Sequence, residues 1–129
     1  MFRPPVVSII DDDASLRAAT DNLLRSLGYT VYTFVSAEEF LRSAQLNDTS
    51  CVIADVQMPG MSGVDLQARL LTQGYRVPFI FMTAFPEETI RARALKAGAI
   101  CFLTKPFDRL TLIGCLHAAL ARHGGGAGH

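Results

Sequence analysis

Three consecutive acids, Asp11-Asp12-Asp13, and three isolated polar residues, Asp55, Thr83 and Lys105, stand at the ends of short apolar runs. Carboxylates gathered at a partly buried site repel one another and are costly to keep ionised unless a cation lies between them. An oxygen-liganded divalent ion relieves that cost. Mg²⁺ suits these residue types because it takes a few carboxylates, keeps some water and accepts phosphate oxygens. Zinc would want His or Cys at ligand spacing, which His117, His123, His129 and the cysteines do not supply. A carboxylate beside such an ion can attack a phosphoryl group while an ammonium helps neutralise the equatorial oxygens in the transition state. Asp55 is the candidate nucleophile and Lys105 the candidate ammonium.

For these residues to act together, the chain must carry them to one rim. The pattern alternates apolar runs with amphipathic stretches. Val6–Ile10 reads as a buried strand, followed by a helix over 14–27 with Leu16, Leu23, Leu24 and Leu27 on its apolar face and Gly28 as its stop. Residues 29–34 are β-branched and aromatic, and Ser36-Ala37-Glu38-Glu39 has the form of a capping box opening a helix to about residue 44. Residues 51–54 form a third strand ending at Asp55, and a loop with Pro59, Gly60 and Gly63 leads to a helix over 64–73. A fourth strand over 77–82 precedes a helix expected to hold Pro86 in its first turn and to run to about residue 97. A fifth strand over 100–103 precedes a last helix, capped by Asp108 and ending near Arg122. Continuous rather than alternating apolar strands, each separated by a helix, indicate a parallel sheet covered on both faces. The predicted fold is a doubly wound α/β sandwich, in which ligands bind beyond the carboxyl ends of the strands, where the six polar residues sit.

Composition narrows the function classes. At 129 residues, half of them apolar and 19% charged, the chain has the size of one soluble domain. No apolar run reaches membrane-spanning length, and the first residues lack a secretory signal, so a cytoplasmic location and no membrane association are expected. Lys plus Arg equals Asp plus Glu at 12 each without a basic cluster, so no nucleic-acid binding is expected of this chain alone. Cys51, Cys101 and Cys115 are odd in number and lack C-x-x-C spacing, which favours three buried, reduced thiols. Residues 1–122 are expected to form the domain, and the glycine-rich 123–129 a flexible tail or linker stub.

Asp11-Asp12, then Asp55-Val56-Gln57-Met58-Pro59-Gly60-Met61-Ser62-Gly63, then Met82-Thr83-Ala84, then Lys105-Pro106-Phe107 resemble the ordered signature of response-regulator receiver domains in two-component signalling. The resemblance covers residues 5–122 and is most similar in feel to receivers of helix-turn-helix transcriptional regulators. It implies a flavodoxin-like five-stranded sheet of order 2-1-3-4-5. It further implies phosphorylation of Asp55 by a sensor histidine kinase or phosphotransfer protein. Asp12 would ligate Mg²⁺ directly and Asp11 mainly through water, with Asp55 and the Gln57 main-chain carbonyl completing the protein ligands. Thr83 would hydrogen-bond the phosphoryl oxygen, Lys105 would pair with it, and Thr83 and Phe102 would act as switch residues. A cis Lys105-Pro106 bond is expected. A downstream effector would meet the face made by the fourth helix, fifth strand and fifth helix, with homodimerisation on phosphorylation as a further expectation.

Each residue taken alone has a plainer reading. Asp11 to Asp13 could cap a helix, although Asp13, the acid surplus to the resembled pattern, is assigned to the start of the first helix, where its charge suits the dipole; Asp55 could be a turn residue, Thr83 a strand-end hydroxyl and Lys105 a solvated loop lysine. Together these are improbable, because four motifs fall in order at four strand ends. Phe102 reads equally as core or as switch. Phe85 beside the site is expected either to cover the phosphoryl group and slow its hydrolysis, or to pack on the fourth helix. Three other functions remain: a haloacid-dehalogenase-type phosphatase, weakened because Gln57 stands where that family wants an acid; a binding-only pseudo-receiver; and the input half of a longer DNA-binding regulator.

Overall fold

The computed structural model describes residues 4–127. Five strands, β1 (Val6–Ile10), β2 (Thr30–Phe34), β3 (Cys51–Asp55), β4 (Phe79–Thr83) and β5 (Cys101–Thr104), alternate with five helices, α1 (Ala14–Ser26), α2 (Ala37–Leu41), α3 (Gly63–Thr72), α4 (Glu88–Lys96) and α5 (Arg109–Ala127). All pairings are parallel and the order is β2-β1-β3-β4-β5, the expected doubly wound, flavodoxin-like sheet.

β3 and β4 lie inside the sheet and are buried along their whole length. Because successive strand residues face opposite sides, their continuous apolar runs divide between two cores. Val52, Ala54, Phe79 and Phe81 join Ile10 and Phe34 in a layer with Phe40 of α2, Leu66 and Leu70 of α3 and Ala94 of α4. Cys51, Ile53, Ile80 and Met82 join Val7 and Ile9 in the other, with Leu24 of α1 and Leu112, Leu116 and Ala119 of α5. Phe81 is fully buried, so truncating it to alanine is expected to cost about 3–5 kcal/mol.

Register fixes where the polar strand ends meet. Ile10 pairs with Ala54, so Asp11 and Asp55 follow on adjacent strands. Asp55 pairs with Met82, and Thr83 with Thr104, so Thr83 and Lys105 each stand one step further along the same rim.

Several local expectations change. α2 stops at Leu41 rather than near residue 44, and a 3-10 turn, Leu46–Asp48, fills the gap. The Ser36 hydroxyl accepts from the Glu39 amide, but Glu39 reaches back to the Val35 amide rather than to Ser36. Pro86 precedes the Glu87 cap of α4 instead of lying in its first turn. Leu27, expected on the buried face of α1, is 47% exposed because it is the C-cap beyond the last packed turn. The backbone of α5 continues past Arg122 to Ala127, since glycine tolerates helical dihedrals at a cost of only about 1 kcal/mol per residue against alanine. Gly128 and His129 lie outside the described residues.

The cysteine expectation is corrected in two of three positions. Cys101 of β5 and Cys115 of α5 form a disulfide, with Cα atoms 6.2 Å apart. The strand and the helix that follows it fold back on each other through the β5–α5 loop, a tertiary proximity that sequence spacing does not reveal. Cys51 is free and buried, and desolvation pushes its thiol pKa up to about 12.

Candidate functional site

Asp11 and Asp55 end β1 and β3 as buried carboxylates, while Asp12, the next residue along, is exposed. Each of the three brings one carboxylate oxygen within 4.8 Å of the others. Asp13 turns away into α1 and caps it, accepting from the Leu16 amide at 3.1 Å, as expected of the third acid in the run.

Asp11 is the most strained of the acids electrostatically. Its Oδ1 accepts from the Asp13 amide at 2.9 Å, whereas Oδ2 is buried and has no hydrogen-bond partner among the described residues. Burial raises its pKa from 3.8 to about 6; the Asp13 amide and the Lys105 charge oppose that rise and neighbouring Asp55 adds to it. A buried carboxylate oxygen without a hydrogen bond, grouped with two further carboxylates, is the donor set of an oxygen-ligated divalent cation, and this cluster could hold a metal ion.

Lys105 reaches the same acids from the β5–α5 loop, and the bond that follows it, Lys105-Pro106, is cis as expected. Its Nζ donates to Asp55 Oδ2 at 2.7 Å and lies 3.6 Å from Asp11 Oδ2. Burial alone would lower its pKa, but the hydrogen bond to Asp55 and the charges of Asp11 and Asp55 outweigh that and hold it above the ordinary lysine value. The other oxygen of Asp55 accepts from the Gln57 amide at 3.1 Å. Asp55 is thus oriented from both sides while keeping lone pairs for a reacting partner.

The Gln57 side chain makes contacts that sequence spacing does not reveal. Its amide nitrogen donates to the Phe85 carbonyl at 3.3 Å, its oxygen accepts from the Thr83 hydroxyl, and the Phe85 amide donates to Thr83 Oγ1 at 3.0 Å. This ring ties the β3–α3 loop to the β4–α4 loop. Thr83 is fully buried, and its single proton is committed to Gln57. Phe85 itself is 73% exposed. It neither shields Asp55 nor packs on α4 in this conformation, so shielding would require its ring to turn inward. Phe102 is half-buried against the first core, 6.2 Å from Phe81 between ring centroids.

Two glycines shape the loop after Asp55. Gly60 has φ +80°, and a Cβ there would stand 2.7 Å from a Glu38 carboxylate oxygen, the same oxygen that accepts from the Met61 amide at 3.0 Å. At Gly63, the first residue of α3, a Cβ would collide with the Asp55 carbonyl oxygen and press on Phe81. Gly63 therefore permits α3 to start directly against the strand that carries Asp55. The contribution of Glu38 to this loop was not legible, because it comes from α2 on a different βα unit.

Comparison with known proteins identifies the family. A family model described as the response regulator receiver domain matches residues 7–117. The chain is 41% identical over 118 residues to response regulator protein TodT of Pseudomonas putida, covering 92% of this chain and 52% of that protein. It is 38% identical over 116 residues to transcriptional regulatory protein FixJ of Azorhizobium caulinodans, covering 90% and 55%. The chain therefore spans about half the length of these curated relatives. Among solved structures it is similar to response regulator StyR, with a TM-score of 0.88 at 39% identity over 95% of this chain and 62% of that one.

Proposed function

Given that the chain belongs to the response regulator receiver domain family, the receiver module of two-component systems, we propose that Asp55 is its phosphoacceptor. The observation that carries this reading is the placement of Asp55 between Lys105 on one carboxylate oxygen and the Gln57 amide on the other, beside Asp11 and Asp12. An Asp55 oxygen attacks the phosphorus of a histidine phosphoramidate or small acyl phosphate. The bond from phosphorus to the donor's nitrogen or oxygen breaks, and the acyl phosphate forms on Asp55. Lys105 is carried over from the carboxylate to the transferred group as a fixed positive charge.

Asp11, Asp12, Asp55 and the Gln57 main-chain carbonyl are the residues that would hold Mg²⁺. When bound, Mg²⁺ supplies positive charge to the phosphoryl oxygens during transfer. Thr83 would leave Gln57 to donate its proton to a phosphoryl oxygen, and Phe102 would follow into the space that Thr83 vacates. That exchange is the molecular event by which a signal would reach the surface of α4, β5 and α5, where a downstream effector would dock and where two phosphorylated copies would pair. The donor is a sensor histidine kinase or phosphotransfer protein. No helix among the described residues is long and apolar enough to cross a membrane; we place the protein in the cytoplasm, where such donors present phosphohistidine, and assign nucleic-acid contact to no residue of this chain.

The test is incubation with Mg²⁺ and acetyl phosphate followed by intact mass. One added phosphoryl group, absent from Asp55→Asn and from a sample treated with a chelator, is expected. An unmodified wild type, or equal modification of Asp55→Asn, would overturn the assignment.

A further inference from the structure

The Cys101–Cys115 pair lies outside the carboxylate site and joins two elements of the proposed output surface, the edge strand β5 and the helix α5. We propose that these cysteines are a reversible thiol–disulfide site, oxidised by small disulfides of the glutathione class, which when closed staples α5 to β5.

Four observations support it. The two residues stand 14 apart in sequence on different elements, yet the fold brings their Cα atoms to 6.2 Å, inside the range a disulfide spans. Accessibility suits entry at Cys101, which is half-buried, while Cys115 is buried in the same core layer and need meet only the Cys101 sulfur. Cys51, in contrast, is 0% exposed and its thiol is held protonated by burial, so it is a spectator rather than a competing nucleophile. Finally, β5 is an edge strand in which Phe102 directly follows Cys101 and Lys105 follows the strand's last residue, so the staple acts on the strand that leads into the carboxylate site. Disulfides in reducing compartments are as a rule transient and redox-sensing, which fits a pair that can open.

The chemistry balances with the small disulfide as oxidant. The Cys101 thiolate attacks one sulfur of the small disulfide, whose S–S bond breaks to release one small thiolate and leave a mixed disulfide on Cys101. The Cys115 thiol loses its proton to solvent and attacks the Cys101 sulfur, expelling the second small thiolate. Two protein thiols are oxidised and one small disulfide is reduced to two thiols. A small dithiol in excess reverses both steps.

The redox chemistry stands apart from the phosphoacceptor reading; only its consequence for the output surface rests on that reading. The full chain is equilibrated with oxidised glutathione or with dithiothreitol, unfolded in denaturant, alkylated and weighed. One alkyl group, on Cys51, is expected after the oxidant and three after the reductant. Three alkyl groups after the oxidant, a persistent glutathione adduct on wild type, or a covalent dimer would each overturn the proposal. The melting temperature of oxidised wild type should exceed that of the reduced protein by several degrees, because the closed loop restricts the unfolded chain; equal values would remove the staple. Cys115→Ser should retain a single glutathione on Cys101 and lose the redox-dependent melting shift, and a Cys115→Ser chain that takes up no glutathione would overturn the assignment of Cys101 as the attacking thiol. Asp55→Asn should give the same alkylation pattern as wild type, so a failure of phosphoacceptance leaves this result unchanged.

Discussion

The Thr83 hydroxyl donates to the side-chain oxygen of Gln57, and a hydroxyl has one proton to give. In this conformation Thr83 cannot also donate to a group on Asp55, so the Gln57 hydrogen bond must break before the proposed switch closes.

Replacing Gln57 by Met keeps the length of the side chain and removes its acceptor. With acetyl phosphate in excess, Gln57→Met is expected to be phosphorylated about 2–10-fold faster than wild type, the range given by one net hydrogen bond of about 0.5–1.5 kcal/mol. The time course of the phosphorylated mass reads this directly, and an unchanged or slower rate would remove Gln57 as a restraint on Thr83.

Lys105 lies 2.7 Å from Asp55 and 3.6 Å from Asp11, so it occupies the same negative field that a divalent cation would seek. Lys105→Met should therefore tighten Mg²⁺ binding while slowing phosphorylation roughly a hundredfold, the scale of losing one preorganised charge in a transition state. Titration calorimetry and the phosphorylation rate are measured on the same sample. Weaker Mg²⁺ binding in the variant would contradict the electrostatic competition.

Asp11 gives a pH signature. Its folded pKa of about 6 lies above its ordinary value of 3.8, so the folded state binds the proton more tightly than the unfolded state does. The resulting stabilisation is fully present below about pH 3.8 and is lost as the pH rises through about 6. Metal-free Asp11→Asn should escape that loss and be more stable than wild type at neutral pH by about 1–3 kcal/mol, with the difference shrinking on acidification and on adding Mg²⁺. Urea unfolding at several pH values checks it; a difference independent of pH would rule out Asp11 as the titrating group.

Gly63→Ala forces a methyl group against the Asp55 carbonyl. Either α3 or the end of β3 must move, and the expected outcome is a loss of about 1–3 kcal/mol of stability, the usual cost of overpacking, with phosphorylation slowed by tenfold or more. Gly114→Ala, where nothing stands within 4 Å, is the control and should be neutral or slightly stabilising. Equal behaviour of the two variants would show that the close approach at Gly63 has no bearing on Asp55.

The sheet and its polar rim were legible because burial on both faces produces unbroken apolar strands, and a charged or hydroxyl residue ends each of four of them abruptly. Asp11, Asp55, Thr83 and Lys105 could be found that way, and Asp13 could be set apart because the resembled pattern needs only two acids there; the structure places it as the cap of α1. What stayed hidden were contacts made between different βα units, Gln57 to Thr83 and Glu38 to Met61, and one within the last unit, Cys101 to Cys115. No local periodicity encodes these, since each depends on how two loops or a strand and a helix settle after the crossovers are complete. The length of α5 was misjudged for the opposite reason: glycines disfavour a helix but do not forbid one.

The register that joins β1, β3, β4 and β5 has a consequence for when the protein becomes addressable. Asp11, Asp55, Thr83 and Lys105 come from segments dozens of residues apart, and neighbours only once four strands are in register. A chain that is still emerging, partly unfolded or slipped by one residue has no partial version of the acceptor, so phosphorylation would report on completed folding. If Asp55 is the acceptor, the site would double as a quality check, since a donor would mark only molecules already able to respond.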